Sequence, residues 1–183
     1  MIQTWPLIAS EPVFDVGWLR VVRERACSPR TGVEHDFHVI NMLDWLMAVP
    51  LTVEGKLVMV RQYRHGSHES SLEVPGGLHD GDKGGESPEQ GAARELAEET
   101  GYTGGTWHLL GQLRPQPALL SNRVSIYLAR GVMETAMQQP DAGEDIEVVL
   151  IDPRSIAARI ASGEIHNAMT VAALGLALYG EHF

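Results

Sequence analysis

Three glutamates near the middle of the chain have a spacing that could hold a divalent cation. Glu95, Glu98 and Glu99 fall within an arc of roughly 100° when they are placed on an α-helix. Three carboxylates so close together repel one another and would destabilise the helix alone. A hard cation reverses this cost, and a site of oxygen ligands suits Mg²⁺ or Mn²⁺ together with water and substrate phosphates. A solvated acidic face is the competing interpretation of these residues alone.

The segment that carries these glutamates has the start and stop signals of a helix. Ser87 is a favourable N-cap, Gln90 completes a capping box, and Pro88 occupies the first helical position, where its missing N–H costs nothing. Gly101 stands where a left-handed residue would end the helix. The sequence therefore predicts a helix between Ser87 and Gly101 with an acidic arc on one side and a mostly apolar arc on another.

The residues around this helix resemble the signature of the Nudix hydrolase superfamily. That signature is a glycine, five residues, a glutamate, seven residues, and then Arg-Glu-apolar-x-Glu-Glu-x-Gly-apolar. Glu86, seven residues and the run 94–102 (Arg-Glu-Leu-Ala-Glu-Glu-Thr-Gly-Tyr) match it. One departure is visible, because eight residues rather than five separate Gly77 from Glu86. The extra residues lie in a Gly- and Asp-rich loop, where an insertion costs little.

The resemblance implies roles for the matched residues. Glu95 and Glu99, which lie one above the other at four-residue spacing, would hold the metal most directly, and Glu98 would add to them. Gly76 lets the backbone approach closely, and its carbonyl is a further candidate ligand. Arg94 is interpreted as partly structural, because it can pair with a glutamate of the acidic arc and orient it. Arg94 and Glu98 are also counted as catalytic candidates.

These parts together predict hydrolysis of a diphosphate. Bound metal ions would neutralise the diphosphate and would acidify and position a water for in-line attack on one phosphorus. The acidic loop at 141–147 resembles the loop that carries the catalytic glutamate in ADP-ribose pyrophosphatases of this superfamily. Glu144 is the first candidate for the general base and Glu147 the second. A solvated acidic turn is the alternative interpretation of this loop.

Residues after the predicted helix bear on the substrate. Pro117 lies fifteen residues after Tyr102, which is the spacing of the ADP-ribose pyrophosphatase branch. Ala118 departs from the glycine usual there, and the run 115–123 looks closer to nucleoside-diphosphate-sugar hydrolases. The resemblance implies Mg²⁺-dependent hydrolysis of ADP-ribose or a nucleoside-diphosphate sugar to a nucleoside monophosphate and a sugar phosphate. The alternatives are a dinucleotide polyphosphate or nucleoside triphosphate as substrate, and a non-catalytic nucleotide-sensing Nudix module.

Four residues outside the helix are candidate substrate contacts. Arg61 and Arg64 end a predicted strand, in a run that also looks like this branch, and Arg64 could form a charge-assisted bond to a phosphate. Glu73, just before the glycine pair, is a candidate for ribose or metal binding. Pro117 completes the set. A surface arginine at a strand end is the alternative interpretation of Arg64.

Composition limits the kind of partner. The chain has 183 residues, 44% of them hydrophobic and 21% charged, which is ordinary for a globular domain. The net charge of −10 argues against nucleic-acid binding, because no basic stripe is available to neutralise a phosphate backbone. Cys27 is the single cysteine, the N-terminus lacks a signal-peptide pattern, and no apolar run could span a bilayer. We therefore expect a cytoplasmic protein with a small-molecule partner and no membrane partner.

The predicted elements favour an α+β fold with a mixed sheet. Strands are predicted at 45–53, 57–63, 71–74, 107–113, 124–130 and 147–151, and further helices at 152–163 and 167–179. Their order lacks the regular βαβ alternation of a doubly wound sheet. The resemblance implies a Nudix α/β/α sandwich, with residues 44–183 as its domain. The sequence of residues 1–43 predicts a small N-terminal antiparallel β segment. The resemblance implies that two chains form a homodimer by exchanging strands of this segment.

Overall fold

The computed structural model describes residues 1–79 and 85–180, so part of the Gly- and Asp-rich loop lies outside the described residues. The chain divides into two compact units. The first contains Met1–Asp44 and Arg114–Arg123, and the second contains Trp45–Leu113 and Val124–Phe183. The division near residue 44 resembles the predicted boundary, but residues 114–123 belong to the first unit rather than to the second. Pro117 therefore lies in the first unit.

The first unit contains a three-stranded antiparallel sheet in the order β1-β2-β3. Its strands are β1 (Leu7–Asp15), β2 (Leu19–Cys27) and β3 (Glu34–Met42). A turn separates β1 from β2. Gly17 has a φ of 87° there, and its N–H donates to Oδ1 of Asp15 at 2.9 Å, so the backbone reverses. The predicted N-terminal antiparallel β segment is confirmed, and it has three strands.

Residues 114–123 join the first unit through backbone hydrogen bonds. The N–H of Ile40 donates to the carbonyl of Leu119 at 2.9 Å, and the N–H of Ser121 donates to the carbonyl of Ile40 at 3.0 Å. Asn122 is buried, and its Nδ2 donates to the carbonyl of Leu43 at 3.2 Å. The segment therefore extends the end of β3 although it is distant in sequence.

The second unit is built on a mixed seven-stranded sheet. Five strands follow the order β10-β5-β4-β9-β8, with β6 paired to β5 and β7 paired to β4. The pair β4–β9 is parallel and the other pairs are antiparallel. The predicted α+β class with a mixed sheet is confirmed. The strands are β4 (Trp45–Thr52), β5 (Leu57–Arg64), β6 (Glu69–Glu73), β7 (Gly76–Leu78), β8 (Tyr102–Leu113), β9 (Val124–Glu134) and β10 (Ile146–Ile151).

The helices of this unit are α1 (Pro88–Thr100), α2 (Ile156–Ala161), which follows a 3-10 turn at Pro153–Ser155, and α3 (Ala168–Tyr179). They cover both faces of the sheet, as the alternation along β4 shows. Ala48 lies in one buried cluster with Leu96 of α1, whereas the next residue, Val49, lies in another with Leu174 of α3. None of the helices among residues 1–79 and 85–180 is long and apolar enough to cross a membrane.

The ends of α1 follow the predicted signals. The N–H of Gln90 donates to Oγ of Ser87 at 3.2 Å, and the N–H of Ser87 donates to Oε1 of Gln90 at 2.8 Å. Gly101 has a φ of 75°, and its N–H donates to the carbonyl of Ala97 at 2.9 Å. The helix that carries the three glutamates is thus fixed at both ends by local sequence.

The start of β8 and the helix that follows β10 differ from the sequence prediction. The structure starts β8 at Tyr102 rather than at 107, because Gly104 and Gly105 continue the strand with positive φ angles of 74° and 76°. The predicted helix at 152–163 is a 3-10 turn followed by a short helix. Asp152 caps this turn, since Oδ1 of Asp152 accepts from the N–H of Arg154 at 3.0 Å.

Candidate active site

A glycine pair brings β7 against the acidic face of α1. The N–H of Gly76 donates to Oε2 of Glu99 at 3.0 Å. A Cβ on Gly77 would lie 2.5 Å from the carboxylate of Glu95, and a Cβ on Gly76 would clash with the carbonyl of Leu46 on β4. Only glycine therefore fits at both positions while the two glutamates keep this approach to the strand.

Glu99 is a buried carboxylate in acidic surroundings. The residue is 3% exposed. Burial above all, together with the charges of Glu95 and Glu144, raises its pKa to about 8, against the Gly76 N–H and Arg64, which lower it. A buried group of this kind is either neutral or balanced by a cation. The position of Glu99 thus suits a bound cation.

Arg94 joins the other carboxylates of the acidic face. Its Nε lies 3.2 Å from Oε1 of Glu86, and its Nη1 lies 3.0 Å from Oε1 of Glu95 and 2.7 Å from Oε2 of Glu98. Burial still raises the pKa of Glu95, although Arg94 lowers it, and Glu98 and Glu144 raise it further. One arginine therefore serves three carboxylates, and they keep an excess of negative charge.

Arg64 and Glu73 form a two-point ion pair on neighbouring strands. Nε and Nη2 of Arg64 donate to the two carboxylate oxygens of Glu73 at 3.0 and 2.8 Å. Burial alone would raise the pKa of Glu73, but the bonds from Arg64 lower it below its usual range. The carboxylate of Glu73 is therefore already engaged. Arg64 stays 43% exposed, so its guanidinium remains accessible to a phosphate.

Arg61 and Glu147 face each other across β5 and β10. Nε of Arg61 lies 3.5 Å from Oε2 of Glu147, and its Nη2 lies 3.1 Å from Oε1 of Glu164. Glu164 also accepts from Nη1 of Arg159 at 2.7 Å, and Arg61, ahead of Arg159, lowers the pKa of Glu164. Sequence reasoning did not find Arg159 and Glu164. The structure thus ties Arg61 and Glu147 to this network beside the β5–β10 pair.

Glu144 lies in an exposed turn that precedes β10. Its N–H donates to the carbonyl of Asp141 at 2.9 Å, and its carboxylate accepts from the N–H of Asp141 at 3.0 Å. The charge of Glu144 raises the pKa values of Glu95 and Glu99. Of the two candidate bases, Glu144 is thus the one that acts electrostatically on Glu95 and Glu99, whereas Glu147 contacts Arg61.

Pro117 lies in the first unit, in an exposed turn at 117–119.

Sequence reasoning also missed the segment that caps the C-terminal end of α1. Nε2 of Gln138 donates to the carbonyl of Glu99 at 2.6 Å, and the N–H of Gln139 donates to the carbonyl of Glu98 at 2.8 Å. The last carbonyls of any helix need donors from outside it, so a donor was to be expected here. Nothing in the local sequence indicates that residues forty positions downstream supply it.

The donor set of the acidic face fits a hard divalent cation in its chemistry. Among residues 1–79 and 85–180, no three His, Cys, Asp or Glu side chains form a ready-made metal cluster. The buried Glu99 and the partly buried Glu95 are nevertheless oxygen donors with excess negative charge, next to the glycine backbone of β7. Magnesium commonly binds through one or two carboxylates, with waters and substrate phosphates as its remaining ligands. These residues fit such a site.

Comparison with known proteins identifies the family of the chain. A model of the NUDIX domain matches residues 46–171. The chain belongs to the NUDIX family. It is 31% identical to an ADP-ribose pyrophosphatase of Mycobacterium tuberculosis over 166 residues, and this alignment covers 90% of this chain and 79% of that protein. It is 32% identical to an ADP-ribose pyrophosphatase of Bacillus subtilis over 126 residues, and this alignment covers 68% of this chain and 66% of that protein.

A solved structure supports the Nudix fold. The crystal structure of an ADP compounds hydrolase matches with a TM-score of 0.84 at 23% identity, over 99% of this chain and 97% of that one. The predicted superfamily and its ADP-ribose pyrophosphatase branch are thus confirmed. The predicted sandwich fold and the enzyme class, a Nudix pyrophosphohydrolase, are confirmed as well.

Proposed function

We propose that this Nudix protein hydrolyses the diphosphate bond of ADP-ribose or a nucleoside-diphosphate sugar, with Mg²⁺, to a nucleoside monophosphate and a sugar phosphate. The observation that carries the proposal is the approach of the buried Glu99 and the partly buried Glu95 to the glycine strand β7. The names of the two pyrophosphatase relatives support the substrate class.

Glu95 and Glu99 would hold the metal, with Glu98 and the carbonyl of Gly76 as additional ligands. Mg²⁺ is the first candidate and Mn²⁺ the second, because all these donors are oxygens. When bound, the ions supply positive charge against the diphosphate and lower the pKa of a nearby water. Arg94 restrains this face by its contacts to Glu95 and Glu98, so the carboxylates keep their directions.

Arg64 is proposed to bind a phosphate of the substrate. Glu73 fixes the plane of its guanidinium through two hydrogen bonds, and the side chain remains partly exposed. Glu73 then orients Arg64 rather than contacting a ribose or a metal itself. Arg61 is restrained by Glu147 and Glu164, which supports a role in holding β10, and a contact of Arg61 or Pro117 with substrate stays a prediction.

Glu144 is proposed as the general base. It would accept one proton of the attacking water, whose oxygen forms a bond to one phosphorus while the bridging P–O bond breaks. The electron pair of that bond leaves with the second phosphate, which gives two monophosphate products. Glu147 is the alternative base, but its contact with Arg61 speaks for a structural role.

The homodimer is a separate proposal. Large apolar side chains of the first unit are exposed, among them Phe14, Trp18 and Phe37, at 53%, 52% and 44%. Apolar groups in such numbers are often covered by a partner. Sedimentation equilibrium at micromolar protein concentration should give the mass of two chains, and a monomer over the whole concentration range would contradict it.

The test of the enzymatic proposal is turnover of a substrate panel with Mg²⁺, Mn²⁺ or chelator. The panel holds ADP-ribose, GDP-mannose, UDP-glucose, ADP-glucose, a diadenosine polyphosphate and nucleoside triphosphates, and the products are identified by mass. We expect turnover of ADP-ribose or the nucleotide sugars that stops in chelator. Turnover of only triphosphates or dinucleotide polyphosphates would overturn the substrate class. Binding without turnover, by folded protein, would favour the nucleotide-sensing alternative.

A further inference from the structure

The C-terminal end of α1 is held by a segment that lies between β9 and the Glu144 turn. The N–H groups of Thr135 and Ala136 both donate to the carbonyl of Gly101 at 3.1 Å. The N–H of Gln139 donates to the carbonyl of Glu98 at 2.8 Å, and Nε2 of Gln138 donates to that of Glu99 at 2.6 Å. Carbonyls that a helix leaves without intrahelical partners are thereby satisfied by one short segment.

Among these four donors, Gln138 is the one that uses its side chain. The other three are backbone amides, which any residue except proline would supply. The approach is also close, because a Cβ on Gly101 would clash with the carbonyl of Ala136. The identity of residue 138 therefore determines a contact that the backbone of the segment cannot supply.

The same segment leads directly into the turn of the candidate base. Pro140 follows Gln139, which restricts the backbone there to an extended path. The turn of Asp141 and Glu144 comes next, closed by hydrogen bonds of 2.9 and 3.0 Å. Gln138 thus lies at the attachment point between the helix of the metal-binding glutamates and the turn of Glu144. The Glu144 turn is close enough to α1 for the charge of Glu144 to raise the pKa values of Glu95 and Glu99.

We propose that Gln138 is a positioning residue that fixes the Glu144 turn relative to the glutamates of α1 through its bond to the carbonyl of Glu99. It does not touch substrate, and it acts on turnover through Glu144. The inference rests on the proposed function for its kinetic test, and it has a structural test of its own.

The kinetic test compares Gln138→Ala with Gln139→Ala. Gln139 is the matched control, because its bond to Glu98 uses the backbone amide, which alanine retains. We expect Q138A to lower kcat by about ten- to hundredfold, the cost of a displacement near 1 Å, with KM within about twofold. We expect Q139A to keep both constants within about twofold of the wild type. Equal kcat values for Q138A and wild type would overturn the inference.

A double-mutant cycle separates positioning from simple loss of a helix cap. If Gln138 acts through Glu144, adding Q138A to Glu144→Gln should lower kcat by less than about twofold. A full, additive loss in that background would show that Gln138 acts elsewhere, and it would overturn the inference. A fall of the melting temperature in Q138A without a change in kcat would mean a structural cap only, and it would overturn it too.

Hydrogen exchange tests the same contact independently of activity. In Q138A, amides of peptides that cover 140–147 should exchange at least about tenfold faster than in Q139A, because the attachment of the turn to α1 is lost. Exchange at the wild-type rate would overturn the inference even if the protein turned over no substrate. Absence of turnover in the wild type, by contrast, would refute the proposed function alone.

Discussion

Two glutamates of the second unit are equally buried but have opposite electrostatic surroundings. Glu73 and Glu99 are each 3% exposed. Burial raises the pKa of both, but in Glu73 the two hydrogen bonds from Arg64 outweigh burial and leave the pKa below its usual range. In Glu99 the single amide of Gly76 does not outweigh burial and acidic neighbours, and the pKa lies at about 8.

The difference shows which carboxylate already has its counterion. Glu73 is paired with an arginine that the chain itself provides, so it completes a local structure and orients Arg64. Glu99 has a strand amide and further carboxylates around it, so its charge is left for a cation from outside the chain. Burial and residue type are the same at the two positions, and the partner determines the role.

Loss of the Glu99 charge should have the largest effect. We expect Glu99→Gln to abolish Mg²⁺-dependent turnover. Mutation of a residue that only supports a metal ligand already lowers activity by up to about 100-fold, and loss of the ligand itself should lower it more. The fold should persist, because the amide oxygen can still accept from Gly76. Kinetics measure the turnover, and calorimetric melting with and without Mg²⁺ measures the stability. Mg²⁺ should raise the melting temperature of the wild type but not that of E99Q.

The matched control for this change is Glu89→Gln, an exposed glutamate in the first turn of the same helix. E89Q should keep the turnover and the Mg²⁺-dependent rise of the melting temperature. Normal turnover by E99Q would show that Glu99 is a second buried structural glutamate like Glu73, and the comparison would fail.

Removal of Glu144 tests the acidic neighbour that distinguishes the surroundings of Glu99. We expect Glu144→Gln to lower kcat by about 10²–10⁴, the usual contribution of a general base, with a small change in KM. Glu147→Gln should have a much smaller effect, because that carboxylate contacts Arg61. Steady-state kinetics at fixed Mg²⁺ decide between them. If E147Q were the slower variant, the roles of the two glutamates would be exchanged.

The sequence allowed prediction of what local residues determine. The capping box of Ser87 and Gln90 and the left-handed Gly101 act within one helix, so α1 and its acidic face were predictable. The strands at 45–53 and 57–63 were also predictable from local residues, because each is a short, nearly continuous apolar run, and each is buried along most of its length.

Contacts between distant segments were not predictable from local patterns. Arg64 and Glu73 were each interpreted as substrate contacts, but β5 pairs with β6, and the long Arg64 side chain reaches Glu73 although the register sets Arg64 opposite Glu69. The Gln138 bond to α1 spans 39 residues of sequence and follows from where β9 ends, not from the residues near it. Residues 114–123 likewise join the first unit through hydrogen bonds to Ile40, and no sequence pattern in this segment predicts these bonds.

The pH dependence of stability should separate the two glutamates in metal-free protein. The pKa of Glu99 rises from 4.5 to about 8 on folding, so between these values the folded state binds more protons than the unfolded state. The free energy of unfolding should therefore fall as pH rises through this window, by up to about 5 kcal/mol. Urea unfolding from pH 5 to pH 9 with chelator measures the slope. E99Q should have a smaller slope, to which Glu95 still contributes, and an identical slope in both proteins would contradict the assigned pKa.

The pair of Arg64 and Glu73 should give the smallest effects, and these should depend on which partner is removed. Arg64→Ala removes the two arginine donors of a buried carboxylate and should cost about 1–3 kcal/mol of unfolding free energy. Glu73→Gln leaves an arginine that is 43% exposed and solvated, so it should cost less. Because folding lowers the pKa of Glu73, its contribution is present above the unfolded pKa of about 4.3 and is lost as pH falls through the folded pKa. Urea unfolding of the wild type and both variants at pH 7 and pH 3 measures these free energies. The difference in unfolding free energy between E73Q and wild type should be smaller at pH 3 than at pH 7. A larger loss of unfolding free energy in E73Q than in R64A would mean that Glu73 has a second partner as important as Arg64.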